Sequence, residues 1–114
     1  LLGEYPAPRT YGCFPVILAE FVRAEKHLRL PEAIRKMTSF PAQRLGLKDR
    51  GILRDGMKAD IVVFNPNTVK APTTRWQPKQ FPLGIPYVIV NGQVVIDNGE
   101  HTGALPGRAL RHSR

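Results

Sequence analysis

The chain of 114 residues is 42% hydrophobic and carries a formal net charge of +8 at pH 7. This length and apolar content allow one domain with a modest core and exclude general disorder. No apolar run approaches the roughly 20 residues of a membrane-spanning helix, so we expect no membrane contact.

The first stretch of the sequence predicts a loop followed by a helix. Residues 1–13 carry glycine and two prolines, and we expect them to form a stiffened loop. Over 14–27, apolar residues recur three and four positions apart, which predicts a helix with one apolar stripe. Pro15 suits the first turn of that helix, where its missing N–H has no partner to lose.

Two shorter helices are predicted next. A proline opens the segment 31–37, and an acidic residue follows it near the positive end of the helix. A third helix is predicted over 40–46, with Thr38 or Ser39 as its N-cap. Gly46 is placed to end it in the left-handed conformation.

The second half of the sequence has the pattern of strands. A strand is predicted at about 59–64, and the proline-rich segment 67–84 reads as an edge strand inside loops. Asn91-Gly92 tolerates the positive φ angles of a type I′ turn, which predicts a β-hairpin over 86–97. The glycine-rich tail, 98–114, is predicted to be loop.

The residues that usually bind metals or act as nucleophiles form no recognisable constellation. His27, His101 and His112 are far apart and occur in no H-x-H or H-E-x-x-H pattern, so each reads as a surface residue. Cys13 is the only cysteine, so no internal disulfide can form, which fits a cytoplasmic location. The residues therefore predict no self-sufficient active site and no metal bound by this chain alone.

The basic residues are scattered along the chain. Arg35 and Lys36, then Lys48 and Arg50, are separated from the aromatic residues that a nucleic-acid stacking platform needs. We interpret the charge as a solvated surface and do not expect a nucleic-acid partner.

The stretch "APRTYG" is the most suggestive for ligand binding. It places Arg9 and Tyr11 two residues apart on a loop before a helix. A guanidinium can clamp a carboxylate with two parallel hydrogen bonds, and a phenol can donate another. The alternative interpretation is a proline-stiffened loop with a packed tyrosine, and the residues alone favour it.

Three stretches of the chain resemble the C-terminal part of N-acyl-D-amino-acid deacylases, or D-aminoacylases, of the amidohydrolase superfamily. The motif G-x-L-x-x-G-x-x-A-D-I-V-V-F is general to the superfamily, whereas the others are more specific to the D-aminoacylase branch. These more specific motifs are PRTYG-x-FP, TS-x-PAQRLGL and NGEHTGA-x-PGR.

The resemblance implies an α+β fragment of a larger enzyme. Residues 1–50 would be the last helices of a TIM barrel, and 51–114 would belong to a small composite β-sandwich domain. The family's zinc ligands and catalytic aspartate would lie before "PRTYG", so zinc is the cofactor of the parent enzyme and not of this chain alone. The substrate would be an N-acyl-D-amino acid, with Arg9 and Tyr11 as candidate contacts.

The chain departs from the family's usual sequence at three positions near its start. The family has His, Thr and Arg where this chain has Ala7, Cys13 and Val16. No aspartate precedes Asp49, so the catalytic aspartate has no counterpart here.

Two functions remain open from the sequence. The first is a portion of an amide-hydrolysing enzyme, itself inactive, whose partner is the remainder of the hydrolase chain. The second is a non-catalytic α+β interaction module derived from an amidohydrolase, with a separate partner chain covering the apolar helix faces.

Overall fold

Helices precede strands along the chain, as expected for an α+β protein. The computed structural model describes residues 4–111. In that range the elements are α1 (Arg9–Val16), a π-helical segment (Ile17–Ala24), α2 (Leu30–Met37), α3 (Ser39–Arg44), β1 (Ile61–Val63), β2 (Tyr87–Val90), β3 (Gln93–Asp97) and β4 (Glu100–His101). None of these helices is long and apolar enough to cross a membrane.

Helix α1 begins earlier than the sequence predicted. Arg9 is its first residue, so the last part of the predicted loop, residues 9–13, is helical, whereas 4–8 precede the helix. Pro8 is the N-cap and already has helical φ and ψ angles, and its carbonyl accepts the first hydrogen bonds of the helix. Pro15 therefore lies inside the helix and not in its first turn.

The helical hydrogen-bond pattern widens soon after Pro15. Residues Ile17–Ala24 form a π-helix, and Glu25 N–H donates to Glu20 O at 2.7 Å, five residues back. Pro15 has no N–H group, so it cannot donate the α-helical hydrogen bond to the residue four positions back. This missing bond gives a local reason for the change of hydrogen-bond pattern that follows it. The predicted apolar stripe is only partly covered in this segment, because Leu18 is buried whereas Phe21 is 42% exposed.

Helices α2 and α3 confirm the predicted second and third helices. Thr38 is the N-cap of α3, but its side chain does not cap that helix. Its hydroxyl instead donates to Ile34 O in α2 at 2.7 Å. Gly46 follows α3 with a φ of 71°, as the sequence predicted for its end.

The strands form one antiparallel sheet in the order β1-β2-β3-β4. The hairpin predicted over 86–97 is present as β2 and β3, and Asn91 and Gly92 have φ angles of 48° and 78°. These positive values are those of a type I′ turn. The pairing of the two hairpin strands is irregular at one point, because the register shifts between Val88 and Ile89.

The tail contains a strand that the sequence interpretation missed. β4 pairs with β3 through a second two-residue turn, in which Asn98 and Gly99 also have positive φ angles of 49° and 85°. Asn98-Gly99 repeats the turn signal of Asn91-Gly92, and the prediction of a loop over 98–114 overlooked it. Residues 112–114 lie outside the described residues.

The proline-rich segment 67–84 is a closed loop with one isolated bridge. Lys70 and Leu83 exchange two main-chain hydrogen bonds, of 2.9 and 3.0 Å. Asn65 N–H donates to Gly84 O at 2.9 Å and closes the base of the loop. An edge strand was predicted here, but prolines within the segment limit the pairing to this single bridge.

The chain divides into two compact units. The first comprises Leu1–Ala33 with Phe64–Ile85, and the second comprises Ile34–Val63 with Pro86–Arg114. Within the described residues, the buried apolar side chains of the first unit are Leu18, Ala19, Ala33 and Val69, and that of the second is Ala42. Each core is small, which agrees with the short length of the elements.

Candidate substrate-contacting site

The candidate site is the first turn and a half of α1, which carries Arg9 and Tyr11. The first N–H groups of a helix have no partner inside it unless the preceding turn supplies one. Here Tyr11 and Gly12 donate to Pro8 O at 3.2 and 3.1 Å, and Thr10 donates to Ala7 O at 2.9 Å. The stretch is therefore held in a defined helical conformation.

Arg9 is exposed at the start of α1. Among the described residues it takes part in no ion pair and donates no side-chain hydrogen bond. Its five N–H donors are thus available to an oxygen-rich group supplied from outside this part of the chain.

Tyr11 is half-buried against the closed loop of the first unit. Its ring meets Phe81 edge to face, with the centroids 5.8 Å apart and the planes at 62°. Phe81 is itself 80% exposed, so this aromatic pair lies at the surface of the described structure. The ring contact corresponds to the packed-tyrosine interpretation, and the hydroxyl group forms no hydrogen bond with the residues that the structure describes.

The helical conformation separates the two candidate side chains. Each helical residue turns the chain by about 100°, so Arg9 and Tyr11 leave the axis about 200° apart. Residues at positions i and i+2 of a helix do not face each other. The structure thus does not bring the two together, and each would contact a different group.

Gly12 allows α1 to pack closely on the loop that follows β1. A Cβ atom at this position would lie 2.7 Å from Ala71 Cβ and 2.7 Å from Thr73 Oγ1. Contacts this short do not occur between real side chains, so any larger residue must displace the loop.

We expect Gly12→Ala to lower the free energy of unfolding by about 1–2 kcal/mol, because overpacking forces a shift of the backbone. Cys13→Ala on the exposed neighbouring position is the matched control. Urea unfolding of both variants measures the difference, and equal stability of the two would contradict the close packing.

The histidines and acidic residues form no metal site in residues 4–111. No group of three potential ligands comes together in that range. His27 is exposed and its Nε2 lies 2.9 Å from Glu25 Oε2, while His101 is exposed and its Nδ1 accepts a hydrogen bond from Gly103 N–H. The described residues therefore do not fit a bound metal ion, and His112 lies outside them.

A polar network in the second unit was missed by the sequence interpretation. Arg50 was assigned to a solvated surface, but its side chain is only 15% exposed. It donates to Asp60 Oδ2 at 2.5 Å and to Asn91 Oδ1 at 3.1 Å, and Asn91 N–H donates to Asp60 Oδ1 at 2.8 Å. Asn91 Nδ2 also donates to Pro106 O at 2.8 Å.

This network holds structural elements together. It ties the residue before β1 to the β2–β3 turn and to the segment after β4. The features of the sequence that relate to this network are the position of Asp60 at the start of a predicted strand and that of Asn91 at a predicted turn. No local rule pairs either residue with Arg50.

The chain belongs to the amidohydrolase family, whose model matches residues 5–96. Within that family it is 45% identical to an N-acyl-D-aspartate deacylase of Alcaligenes xylosoxydans xylosoxydans, over 93% of this chain and 21% of the relative. The resemblance to N-acyl-D-amino-acid deacylases is thereby confirmed.

Solved structures give the same relationship in three dimensions. A D-aminoacylase mutant in complex with copper chloride matches with a TM-score of 0.92 and 38% identity, over 96% of this chain and 23% of that chain. An N-acyl-D-glutamate deacylase from Bordetella bronchiseptica, complexed with zinc and a phosphonate inhibitor, matches with a TM-score of 0.79 and 40% identity, over 80% of this chain and 19% of that chain. This chain spans about a fifth of the length of each of these three relatives.

Proposed function

We propose that this chain is the C-terminal portion of a metal-dependent hydrolase that removes the acyl group from N-acyl-D-amino acids. The reaction is hydrolysis of the amide C–N bond. The observation that carries the proposal is the match to a D-aminoacylase structure, with a TM-score of 0.92 over 96% of this chain. Identity of 38% over that length supports a shared function as well as a shared fold.

We further propose that residues 1–50 are the last helices of a TIM barrel and that 51–114 contribute to a composite β-sandwich domain. The support is the large amount of apolar surface that the described residues leave uncovered. Phe14 is 59% exposed and Leu53 is 78% exposed, and large apolar side chains at such positions usually have a partner. The remainder of a longer hydrolase chain is the partner that fits the family.

The metal ion of the proposed enzyme is assigned to residues outside this chain. Residues 4–111 hold no cluster of three potential ligands, whereas the related N-acyl-D-glutamate deacylase binds zinc. We expect this portion to be inactive alone, because it also has no counterpart of the family's catalytic aspartate. A cytoplasmic location is proposed because the single cysteine forms no internal disulfide.

Arg9 and Tyr11 are proposed to contact the substrate. Arg9 is exposed and without an ion-pair partner among the described residues, which leaves its guanidinium free for the carboxylate of an N-acyl amino acid. Tyr11 has its ring packed on Phe81 and its hydroxyl available to donate. Because the two side chains diverge, we assign them to different groups of the substrate.

The function is tested by replacing the aligned segment of a D-aminoacylase with this chain. We expect the chimeric enzyme to hydrolyse N-acetyl-D-amino acids and to leave the L-isomers intact. This chain alone, with added zinc, is the matched control and is expected to be inactive. A chimera that folds and binds metal but hydrolyses neither isomer would contradict the proposal and favour a non-catalytic interaction module.

Arg9→Ala in that chimera is expected to lower kcat/KM by roughly tenfold to a hundredfold, because a charge-assisted pair with the substrate is lost. Most of the change should appear in KM if the contact is equally strong in substrate and transition state. Arg29→Ala, at an exposed position outside the candidate site, is the control. Equal kinetic constants for the two variants would remove Arg9 from the substrate contacts.

A further inference from the structure

Two Asn-Gly pairs occupy successive turns of the same sheet, and they have the same local conformation. Asn91 and Asn98 have φ angles of 48° and 49°. The N–H groups of the glycines that follow, Gly92 and Gly99, each donate to a main-chain carbonyl, at 2.9 and 3.0 Å. A glycine after asparagine leaves its main-chain nitrogen unshielded, so that nitrogen can reach the amide carbon of the asparagine. The two turns are therefore alike in these main-chain features, and they differ in the groups that surround each asparagine side chain.

Asn91 is held on every side by hydrogen bonds of the polar network. Its Oδ1 accepts from Arg50 at 3.1 Å, and its Nδ2 donates to Pro106 O at 2.8 Å. Its own N–H donates to Asp60 Oδ1 at 2.8 Å. Rotating this side chain towards the next nitrogen breaks its two side-chain hydrogen bonds, to Arg50 and to Pro106, and each of them stabilises the closed arrangement.

Asn98 has none of these restraints. It is exposed, and its side chain forms no hydrogen bond with any of the described residues. A Cβ atom at Gly99 would meet nothing within 4 Å, so the space around the turn is open. The turn is closed on one side by β4, which is only two residues long. Short terminal strands open at low free-energy cost.

We propose that Asn98 is a site of spontaneous deamidation in this protein and that the polar network protects Asn91 from the same reaction. The main-chain nitrogen of Gly99 loses its proton and forms a bond with Cγ of Asn98. The Cγ–Nδ2 bond breaks, and ammonia leaves with the proton. A water molecule then opens the resulting succinimide ring at one of its two carbonyls, which gives aspartate or isoaspartate with no change in oxidation state.

The product alters the turn between β3 and β4. An aspartate adds a negative charge between Asp97 and Glu100, which already pair across the turn. An isoaspartate adds one more atom to the main chain of a two-residue turn, so the pairing of Ile96 with His101 loses its register. Formation of isoaspartate is therefore expected to release the segment after β3 from the sheet.

The rates at the two asparagines are measured in one experiment. The folded chain is kept in mildly alkaline buffer, samples are digested with trypsin, and fragment masses locate the amide-to-acid change. Cleavage after Lys79 and Arg108 leaves both asparagines in the peptide 80–108, so each serves as the reference for the other. Each rate is divided by the rate of the same asparagine in the unfolded peptide.

We expect the normalised rate at Asn98 to exceed that at Asn91 by about tenfold or more, since several hydrogen bonds must break before Asn91 can react. In Asn98→Gln the fast reaction should disappear while the slow change at Asn91 continues, because glutamine would have to close a larger ring. Equal normalised rates, or a faster reaction at Asn91, would overturn the proposal. So would a folded chain in which neither asparagine reacts while both react in the unfolded peptide.

Discussion

Arg50→Ala is expected to lower the free energy of unfolding by about 3 kcal/mol, because it leaves partly buried polar groups without their partner. Arg50 is 15% exposed and its guanidinium donates to both Asp60 and Asn91. Without it, the Asp60 carboxylate loses its counter-charge and Asn91 Oδ1 loses its donor. Chemical unfolding followed by circular dichroism measures the change.

Two further variants separate the network from a general effect of charge. Arg50→Lys keeps the positive charge but not the planar fork, so we expect it to recover only part of the lost stability. Arg54→Ala removes an arginine from an exposed position of the same unit and is expected to leave stability unchanged. If Arg50→Ala and Arg54→Ala unfold at the same urea concentration, the network does not stabilise the chain.

Gly84→Ala is expected to destabilise the chain by roughly 3 kcal/mol or more, since it combines backbone strain with a steric clash. Gly84 has a φ of 79°, which side chains of L-residues disfavour. A Cβ atom there would lie 2.6 Å from Val69 N and 2.7 Å from Val69 Cα. Val69 is fully buried and its main chain cannot retreat without opening the first unit's core.

Two other glycines allow the strain and the clash to be measured separately. Gly56 has a φ of 82°, but a Cβ atom there would meet nothing within 4 Å, so Gly56→Ala measures the strain alone. Gly107 has neither feature, and Gly107→Ala should be close to neutral. The expected order of destabilisation is Gly84, then Gly56, then Gly107. A Gly84→Ala variant no less stable than Gly56→Ala would mean that the close approach to Val69 is absent.

The sequence was most informative where a residue restricts its own conformation. Gly46 and Gly92 adopt positive φ angles, which glycine tolerates because it has no side chain. Asn91 also has a positive φ angle, as is common for asparagine in a type I′ turn. The same rule applies to the second turn at Asn98-Gly99, although the many glycines and prolines around it favour a loop. A specific local signal is therefore a better guide to this turn than the composition of the segment.

The sequence was least informative about the first helix. A proline normally suits a first turn, so the start of α1 was placed near Pro15, and Arg9 with Tyr11 was placed in a loop. The structure begins α1 at Arg9 and accommodates Pro15 by changing to the wider π-helical pattern. The roles of Arg9 and Tyr11 stay predictions. Because both residues lie in a helix, their side chains leave its axis in different directions.

What the sequence determined by itself was the order of helices before strands, the Asn91-Gly92 turn and the family, because these depend on neighbouring residues or on short motifs. What the tertiary structure decided was the environment of individual side chains. Arg50, Asp60 and Asn91 are 10 to 41 residues apart, and no periodicity or propensity pairs them. Only the folded main chain brings such groups within hydrogen-bonding distance, so a residue that reads as a solvated charge becomes the centre of a network.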